Sequence, residues 1–273
     1  NHLEHEIDMD EIAKLTCCSP VHFQRMFSYL TDVSVAEYIR RRKMSKAAAE
    51  IQKNLAKIID VALKYGYDSP TAFNRAFQSV HGIAPSKAKK EGVILKAYLP
   101  ISFNLAIKGD SEMNYRMEQK DAFRIVGIKT KLSEKDGGPN FLQIPGLWQE
   151  NCKHIPELCK LMSGKEPIGV LGVTTSMNDR DCDYYIAVAS EKPAPANMHA
   201  YEVPAAIWAI FDCVGAIGKD PCVMQNLQKR IFSEWLPASG YEYANAPDIE
   251  VYFEGDLASD DYHCEVWLPV IKK

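Results

Sequence analysis

The sequence predicts an all-α domain at the N-terminus, followed by an α+β domain made of two pseudo-symmetric units with antiparallel strands. Three observations support this prediction. Up to about residue 93, apolar residues recur with a helical period, and one helical pattern occurs twice. Beyond residue 113, short runs alternate between apolar and polar residues, as half-buried strands do. The length of 273 residues also suits two domains.

In the first copy of the helical pattern, Asp8 is expected to cap a short helix, and Ser19 with Pro20 to begin the next one. This second helix carries an apolar stripe at i, i+4, i+7 spacing, formed by Phe23, Phe27 and Leu30. If the stripe packs on the core, the residues that face outward are Val21, His22, Gln24 and Arg25.

The second copy of the pattern runs from Val61 to Pro85. Its first helix is expected to end at Tyr65, and after a short turn Ser69 and Pro70 begin a helix that Gly82 ends. The corresponding residues of the two copies, 49 or 50 positions apart, are Ala13 and Ala62, Phe23 and Phe73, and Phe27 and Phe77. Each copy therefore predicts a helix-turn-helix, whose second helix can lie in the major groove of DNA.

Between the two copies, residues 35–55 are rich in strong helix formers, and Ser34 stands where an N-cap is expected. One long helix would fix the spacing of the two helix-turn-helix units. Both second helices could then enter successive major grooves about 34 Å apart.

The charge differs between the two halves. Residues 1–97 carry 15 Lys and Arg against 11 Asp and Glu, and the remainder carries 17 against 25, which together give the overall charge of −4. The basic excess coincides with the helix-turn-helix pattern, as contact with phosphates requires. Double-stranded DNA is therefore the expected partner of the first half only.

Three motifs stand out in the helical half: Gly66-Tyr67-Asp68-Ser69, Phe73-Asn74-Arg75-Ala76-Phe77 and Gly82-Ile83-Ala84-Pro85. In these motifs, and over nearly all of residues 3–90, the sequence resembles the AraC/XylS family of transcription regulators. Two positions depart from the family pattern: Asp32 replaces a glycine, and Ala88 replaces an aromatic residue. Asp32 can still adopt a left-handed conformation at some cost. The resemblance also implies RNA polymerase as a partner.

The same resemblance implies which residues contact DNA bases. They are Val21, Gln24 and Arg25 in the first copy and Pro70, Thr71, Asn74 and Arg75 in the second. Arginine suits guanine, asparagine and glutamine suit adenine, and Val or Thr methyl groups suit thymine. Alternatively, Arg25 and Arg75 brace the fold by pairing with a nearby acid. The basic run from Arg40 to Lys43 is either a solvated helix face or a phosphate contact.

We assign residues 1–93 to the helical domain, 94–112 to a connecting strand and linker, and 113–273 to the α+β domain. Strands are expected near residues 115–119, 123–130, 169–174, 183–189, 199–203, 206–212, 249–254 and 263–269, and helices near 144–153 and 220–235. The run that starts at Phe123 resembles the one at Ala206, and the run at Asp183 resembles the one at His263. Two similar units with a ligand cleft between them are therefore predicted.

Short pieces of this second half, such as Leu147-Trp148 and Ile249-Glu250-Val251-Tyr252, resemble the GyrI-like effector-binding domain. The resemblance implies a pocket for a small molecule with aromatic walls and a buried glutamate. Such a pocket favours an organic cation, because both the carboxylate and the ring faces attract positive charge. The expected ligand-binding residues are Glu250, with Glu265 as second choice, and Trp148, Tyr185, Trp208 and Tyr252; each aromatic residue could equally be part of the core.

Other classes of protein have little support in the sequence. No apolar run is long enough to span a membrane, and no leader opens the chain, so a cytoplasmic protein is expected. Because Asn1 falls within an apparent helix, we expect that a segment precedes it. The histidines and the eight cysteines show no metal-ligand spacing, and we expect no metal or other cofactor. Two alternatives remain for the second half, a hydrolase and a module that recruits a protein.

Overall fold

A computed structural model describes the chain apart from residues 1, 6, 17, 54–56, 91, 103–111, 134–139, 176–180, 220–221 and 245. By their contacts, the residues form two compact units. The helical unit comprises Asn1–Pro20 and Val33–Lys108, and the sheet unit comprises Val21–Asp32 and Gly109–Lys273. The helix that contains Arg25 thus groups with the sheet unit, although its sequence belongs to the first helix-turn-helix pattern.

The N-terminal part of the chain forms five α-helices within the described residues. They are α1 (Met9–Thr16), α2 (Pro20–Thr31), α3 (Val35–Gln52), α4 (Ile58–Lys64) and α5 (Pro70–His81). Short 3-10 turns occur at His2–Glu4 and Lys87–Lys89. Residues 93–102 have no regular structure, so the connecting strand expected there is not found, and residues 103–111 lie outside the described part.

The predicted caps account for where these helices begin and end. The Asp8 carboxylate accepts a hydrogen bond from the Asp10 amide at 2.8 Å, and the Ser34 hydroxyl accepts one from the Glu37 amide at 3.2 Å. Gly82 ends α5 with a φ of 77°. Asp32 follows α2 with a φ of 53°, which confirms the left-handed conformation expected of it.

The core of the helical unit forms around one face of α5. Phe73 and Phe77 are 1% and 0% exposed, as the stripe predicted, and their rings lie 5.8 Å apart. They pack with Met44 and Ile51 of α3 and Val61 of α4. Burial of each large side chain stabilises the unit by about 1.5–3 kcal/mol. Ala88, in the position of the missing aromatic, is also fully buried in this core.

The sheet unit contains one antiparallel sheet, flanked by helices. The strands of the described residues are β1 (Tyr115–Lys120), β2 (Phe123–Ser133), β3 (Val170–Thr174), β4 (Asp181–Ala189), β5 (His199–Val203), β6 (Ala206–Val214), β7 (Tyr241–Tyr243), β8 (Asp248–Tyr252) and β9 (His263–Lys272). The helices are α6 (Asn140–Asn151), α7 (Ile155–Leu161), α8 (Val223–Arg230) and α9 (Leu236–Ala238), with a π-helical turn at Ile231–Trp235 between the last two and a 3-10 turn at Cys152–His154 before α7.

The strand order confirms the predicted pseudo-symmetry. The main path reads β1-β6-β9-β8-β3-β4-β2-β5, and β7 pairs with β9 beside it. Reading the path backwards exchanges β8 with β3, β9 with β4, β6 with β2 and β1 with β5. A pseudo-twofold axis therefore passes between β3 and β8, which pair through Gly172 and Glu250.

The two faces of the sheet differ in what covers them. One face, here called the helix face, packs on Leu158 of α7 and on Ile231 and Phe232 of the π-helical turn. The other face, called the strand face, has a core formed by the strands themselves together with Phe253. None of the helices in the described residues is long and apolar enough to cross a membrane.

Candidate functional site

The centre of the candidate site is the carboxylate of Glu250, which lies on the helix face of β8. Gln228 of α8 donates a hydrogen bond to its Oε1 at 2.7 Å. The hydroxyls of Tyr252 and Tyr184 donate to its Oε2 at 3.0 and 3.4 Å. A partly buried carboxylate is thus held in place by neutral donors, so its negative charge is not cancelled by these contacts.

Trp148 contacts both tyrosines that donate to this carboxylate. The Trp148 indole donates to the Tyr184 hydroxyl at 2.8 Å, and the Trp148 and Tyr252 rings meet edge to face at 4.8 Å. Edge-to-face packing is a favourable arrangement for such rings. Tyr252 therefore contacts Glu250 directly, and Trp148 is connected to it through Tyr252 and Tyr184.

Gly172 of β3 makes room for the site from the paired strand. A Cβ atom on this residue would lie 2.7 Å from Oε2 of Glu250 and would also overlap the Tyr184 hydroxyl. Real Cβ atoms essentially never approach another heavy atom so closely. Only glycine at this position allows the glutamate and the tyrosine to meet.

Burial sets the protonation of the site. It raises the pKa of Glu250, while hydrogen bonds from Tyr252, Gln228 and Tyr184 and the charge of Arg25 oppose that rise. Burial and the neighbouring Glu250 raise the pKa of Tyr184 and Tyr252 well above the usual value. Both tyrosines therefore remain neutral donors. This arrangement can bind a cation.

The structure does not bring the other predicted ligand residues to this site. Glu265, the second choice of acid, and Tyr185 and Trp208, two of the expected aromatic walls, lie on the strand face and do not share a site with Glu250. The register pairs Val251 with Glu265, and alternation then places Glu250 and Glu265 on opposite faces. Glu265 is neutralised there by Arg116 at 2.9 Å and accepts from the Trp267 indole at 2.7 Å.

Two residues of the site were missed at the level of sequence. Tyr184 directly precedes the predicted Tyr185 in β4, and strand alternation places their side chains on opposite faces of the sheet. Gln228 lies on α8 and is 8% exposed. An amphipathic reading of α8 would have placed Gln228 on the same stripe as buried Met224, which is the signal that could have identified it.

The helix α2 fills the space next to Glu250. Tyr29 of α2 lines the cavity together with Gln228, Phe232 and Glu250. The Tyr29 and Phe232 rings are stacked, with centroids 4.9 Å apart. The remaining free volume is about 10 Å³, which holds at most about one water molecule.

An ion pair fixes α2 in this position. The Arg25 guanidinium pairs with the carboxylate of Asp248 and donates to the Tyr243 hydroxyl at 2.7 Å, and that hydroxyl donates to Asp248 at 2.6 Å. Arg25 is only 6% exposed. The centroid of the His22 ring lies 6.2 Å from those of both Phe232 and Tyr243.

The predicted orientation of α2 is therefore wrong for two residues, because His22 and Arg25 are buried rather than outward-facing. Burial, helped by the charges of Lys273 and Arg25, lowers the pKa of His22 to about 4, so the ring is neutral at pH 7. The alternative that Arg25 pairs with an acid holds in this structure. Val21 packs on the apolar cluster of the sheet unit, and Gln24 is half-buried.

In α5, the corresponding helix of the second copy, the surface predicted to contact DNA bases is accessible to solvent. Pro70, Thr71 and Arg75 are exposed, and Asn74 is half-buried and accepts a hydrogen bond from Gln78 at 3.4 Å. The residues predicted to read bases from α5 thus share an accessible face.

Known proteins resemble both parts of this chain. Residues 113–271 match the GyrI-like small molecule binding domain family, and residues 12–91 match a helix-turn-helix domain family. The HTH-type transcriptional activator AarP of Providencia stuartii is 38% identical over 85 residues, 31% of this chain and 63% of AarP. The transposon Tn10 TetD protein of Escherichia coli is 36% identical over 88 residues, 31% of this chain and 64% of TetD. The match thus spans less than two thirds of either relative.

A solved structure resembles the sheet unit. It is described as the structure of SAV2435 bound to tetraphenylphosphonium, and it is 26% identical with a TM-score of 0.52. The match covers 58% of this chain and 94% of that one.

Proposed function

The chain belongs to the GyrI-like small molecule binding domain family and carries an AraC-type helix-turn-helix region, and from this premise we propose that it is a DNA-binding transcription regulator controlled by an organic cation. DNA is bound through the helix-turn-helix region, with α5 as one reading helix. The effector is bound by the sheet unit. RNA polymerase in the cytoplasm is the proposed downstream partner.

The observation that carries the proposal is the environment of Glu250. Its carboxylate accepts hydrogen bonds only from neutral donors among the described residues, and two of these donors are tyrosines that Trp148 contacts. A lipophilic cation gains charge pairing with the carboxylate and attraction to the ring faces, and it loses little hydration on entry. The phosphonium cation named for SAV2435 has this chemistry.

The proposed reading of DNA relies on the face of α5 that presents Thr71, Asn74 and Arg75. Arginine and asparagine offer the paired donors and acceptors that base edges in the major groove require. The relatives that match this region include a transcriptional activator, which supports the proposal.

The decisive experiment is calorimetric titration of tetraphenylphosphonium into the wild-type chain and two variants. Glu250→Gln removes the charge while keeping the side chain's shape, and we expect affinity to fall about tenfold to a hundredfold, because a charged contact is replaced by a neutral one. Glu254→Gln is the matched control, since Glu254 is exposed and lies two residues beyond the end of β8. It should bind as the wild type does.

The pH dependence of cation affinity provides a second test in the same titration. Because burial raises the pKa of Glu250, protonation should weaken cation binding at a higher pH than for a solvated glutamate. Binding by Glu250→Gln should be insensitive over that range. Equal affinities of the wild type and Glu250→Gln at neutral pH would exclude Glu250 from the site.

A further inference from the structure

We propose that helix α2 is an internal occupant of the effector site, so that an organic cation and α2 compete for the same space and effector binding releases α2 for DNA. The inference rests on the proposed function and names its regulation. It concerns residues Val21–Asp32, which group with the sheet unit by their contacts.

The side chains that α2 brings to the sheet unit resemble the expected ligand. Arg25 supplies a buried positive charge, and Tyr29 supplies an aromatic ring that stacks on Phe232. The charge of Arg25 also acts on Glu250, where it opposes the rise of the carboxyl pKa that burial causes. The internal helix thus offers the combination of cation and ring that the site would recognise in a small molecule.

The space left beside Glu250 excludes simultaneous binding. With Tyr29 in place, about 10 Å³ remains, whereas sites for drug-sized ligands have volumes of about 300–1,000 Å³. Tyr29 lines this cavity directly. A lipophilic cation can therefore reach Glu250 only after Tyr29, and with it α2, has moved.

The docked position also hides residues predicted to read DNA. Arg25 is 6% exposed, and Val21 packs on the apolar cluster of the sheet unit, so neither is available for a base edge. The corresponding Arg75 of α5 is exposed. In this state only the second helix-turn-helix presents its reading face, and two half-sites cannot both be read.

Mutual exclusion has a thermodynamic consequence. A ligand that binds only the undocked state must raise the population of that state, and the state with α2 released has the higher affinity for DNA. The effector and the DNA should therefore increase each other's affinity. This sign of coupling predicts an activator of DNA binding rather than an inducer that releases DNA.

The first test measures amide hydrogen exchange of the full chain with and without tetraphenylphosphonium. We expect faster exchange in residues 21–31 when the cation is bound, because α2 loses its buried contacts. Helix α5 is an internal control, since it has the same sequence pattern and packs within the helical unit. Its exchange should not change.

The second test weakens the contacts of Arg25 with Asp248 and Tyr243 without changing a residue predicted to contact DNA. Asp248→Asn leaves the Arg25 charge without its ion partner, and Tyr243→Phe removes the hydroxyl that joins Arg25 to Asp248 while keeping the ring. Each should accelerate exchange of α2 without any cation. Each should also raise affinity for a DNA duplex, selected with the wild-type chain, by about tenfold. Asp260→Asn, at an exposed ion pair, is the control.

The cation should raise the DNA affinity of the wild type and leave that of Tyr243→Phe unchanged. If the cation binds but exchange of α2 is unaltered, or if both variants keep wild-type exchange and DNA affinity, the internal-occupant model is overturned while the proposed function stands. If the cation fails to bind any variant, the proposed effector is wrong, and the DNA affinities of the two variants still decide whether docking restrains α2.

Discussion

At the scale of single residues, the candidate site depends on the absence of a side chain at Gly172. Gly172 faces Glu250 across the pseudo-twofold axis, and a Cβ there would lie 2.7 Å from the Glu250 carboxylate. The same atom would displace the Tyr184 hydroxyl, which also donates to that carboxylate. The positions of the Glu250 carboxylate and the Tyr184 hydroxyl therefore depend on the space left by Gly172 as well as on their own hydrogen bonds.

We expect Gly172→Ala to weaken binding of tetraphenylphosphonium about tenfold or more, because misplacing a buried carboxylate and its donor disrupts a preorganised site. Gly218→Ala is the matched control, since open space surrounds that position. Calorimetric titration of both variants checks the prediction. Wild-type affinity in Gly172→Ala would show that the carboxylate geometry does not determine cation binding.

At the scale of elements, α2 and α5 share one sequence pattern but bury different faces. In α5 the phenylalanine stripe is buried and Arg75 is exposed, as the pattern predicts. In α2 the corresponding Phe23 and Phe27 are only half-buried, while Arg25 and Tyr29 on another face are buried. The helical period shows that both helices are amphipathic, but the element against which each helix packs determines which of its faces is buried.

This difference predicts unequal effects of two equivalent substitutions on stability. Arg25→Ala leaves Asp248 buried without its cation and should destabilise the sheet unit by up to about 3–5 kcal/mol. Arg75→Ala lies at an exposed position and should change stability by less than about 0.5 kcal/mol. Urea unfolding of both variants measures the two values, and equal stability would contradict the buried ion pair.

Arg75→Ala should show its effect in DNA binding instead. Loss of a base contact is expected to cost about 1–3 kcal/mol on a selected duplex and much less on an unrelated one. Competition binding with the two duplexes at one salt concentration distinguishes these cases. An equal loss on both duplexes would assign Arg75 to a phosphate rather than to a base.

At the scale of the whole molecule, two units with separate cores divide the proposed tasks. The helical unit has its core around Phe73 and Phe77, and the sheet unit has apolar cores on both faces of its sheet. The basic excess lies in the first 97 residues and the acidic excess in the remainder. Charge therefore directs DNA to the helical part and leaves the acidic part suited to a cation.

Separate cores predict two unfolding transitions in calorimetry, and the cation should stabilise only one of them. At a concentration of 100 times its Kd, a ligand stabilises the unit it binds by about 2.7 kcal/mol, less whatever is required to displace α2. The transition of the sheet unit should move to higher temperature, and that of the helical unit should not. A single transition that moves as a whole would contradict this division.

Much of the fold could be predicted from the sequence because it depends on local interactions. The caps at Asp8, Ser34 and Ser69 and the end of α5 at Gly82 involve residues only a few positions apart. Strand runs and the repeated halves were visible as alternation and as similar segments. The GyrI-like resemblance led to the prediction of Glu250, Tyr252 and Trp148 as ligand-binding residues.

What the sequence determined by itself is thus the class of each half and the approximate positions of most elements. Only the tertiary structure decided which residues share a face: the pairing of Val251 with Glu265 separates the two candidate acids, and Gly172, Tyr184 and Gln228 reach Glu250 from three other elements. It also decided that Arg25 pairs with Asp248. The physical reason is that register and docking depend on contacts between residues far apart in the chain, which no local pattern encodes.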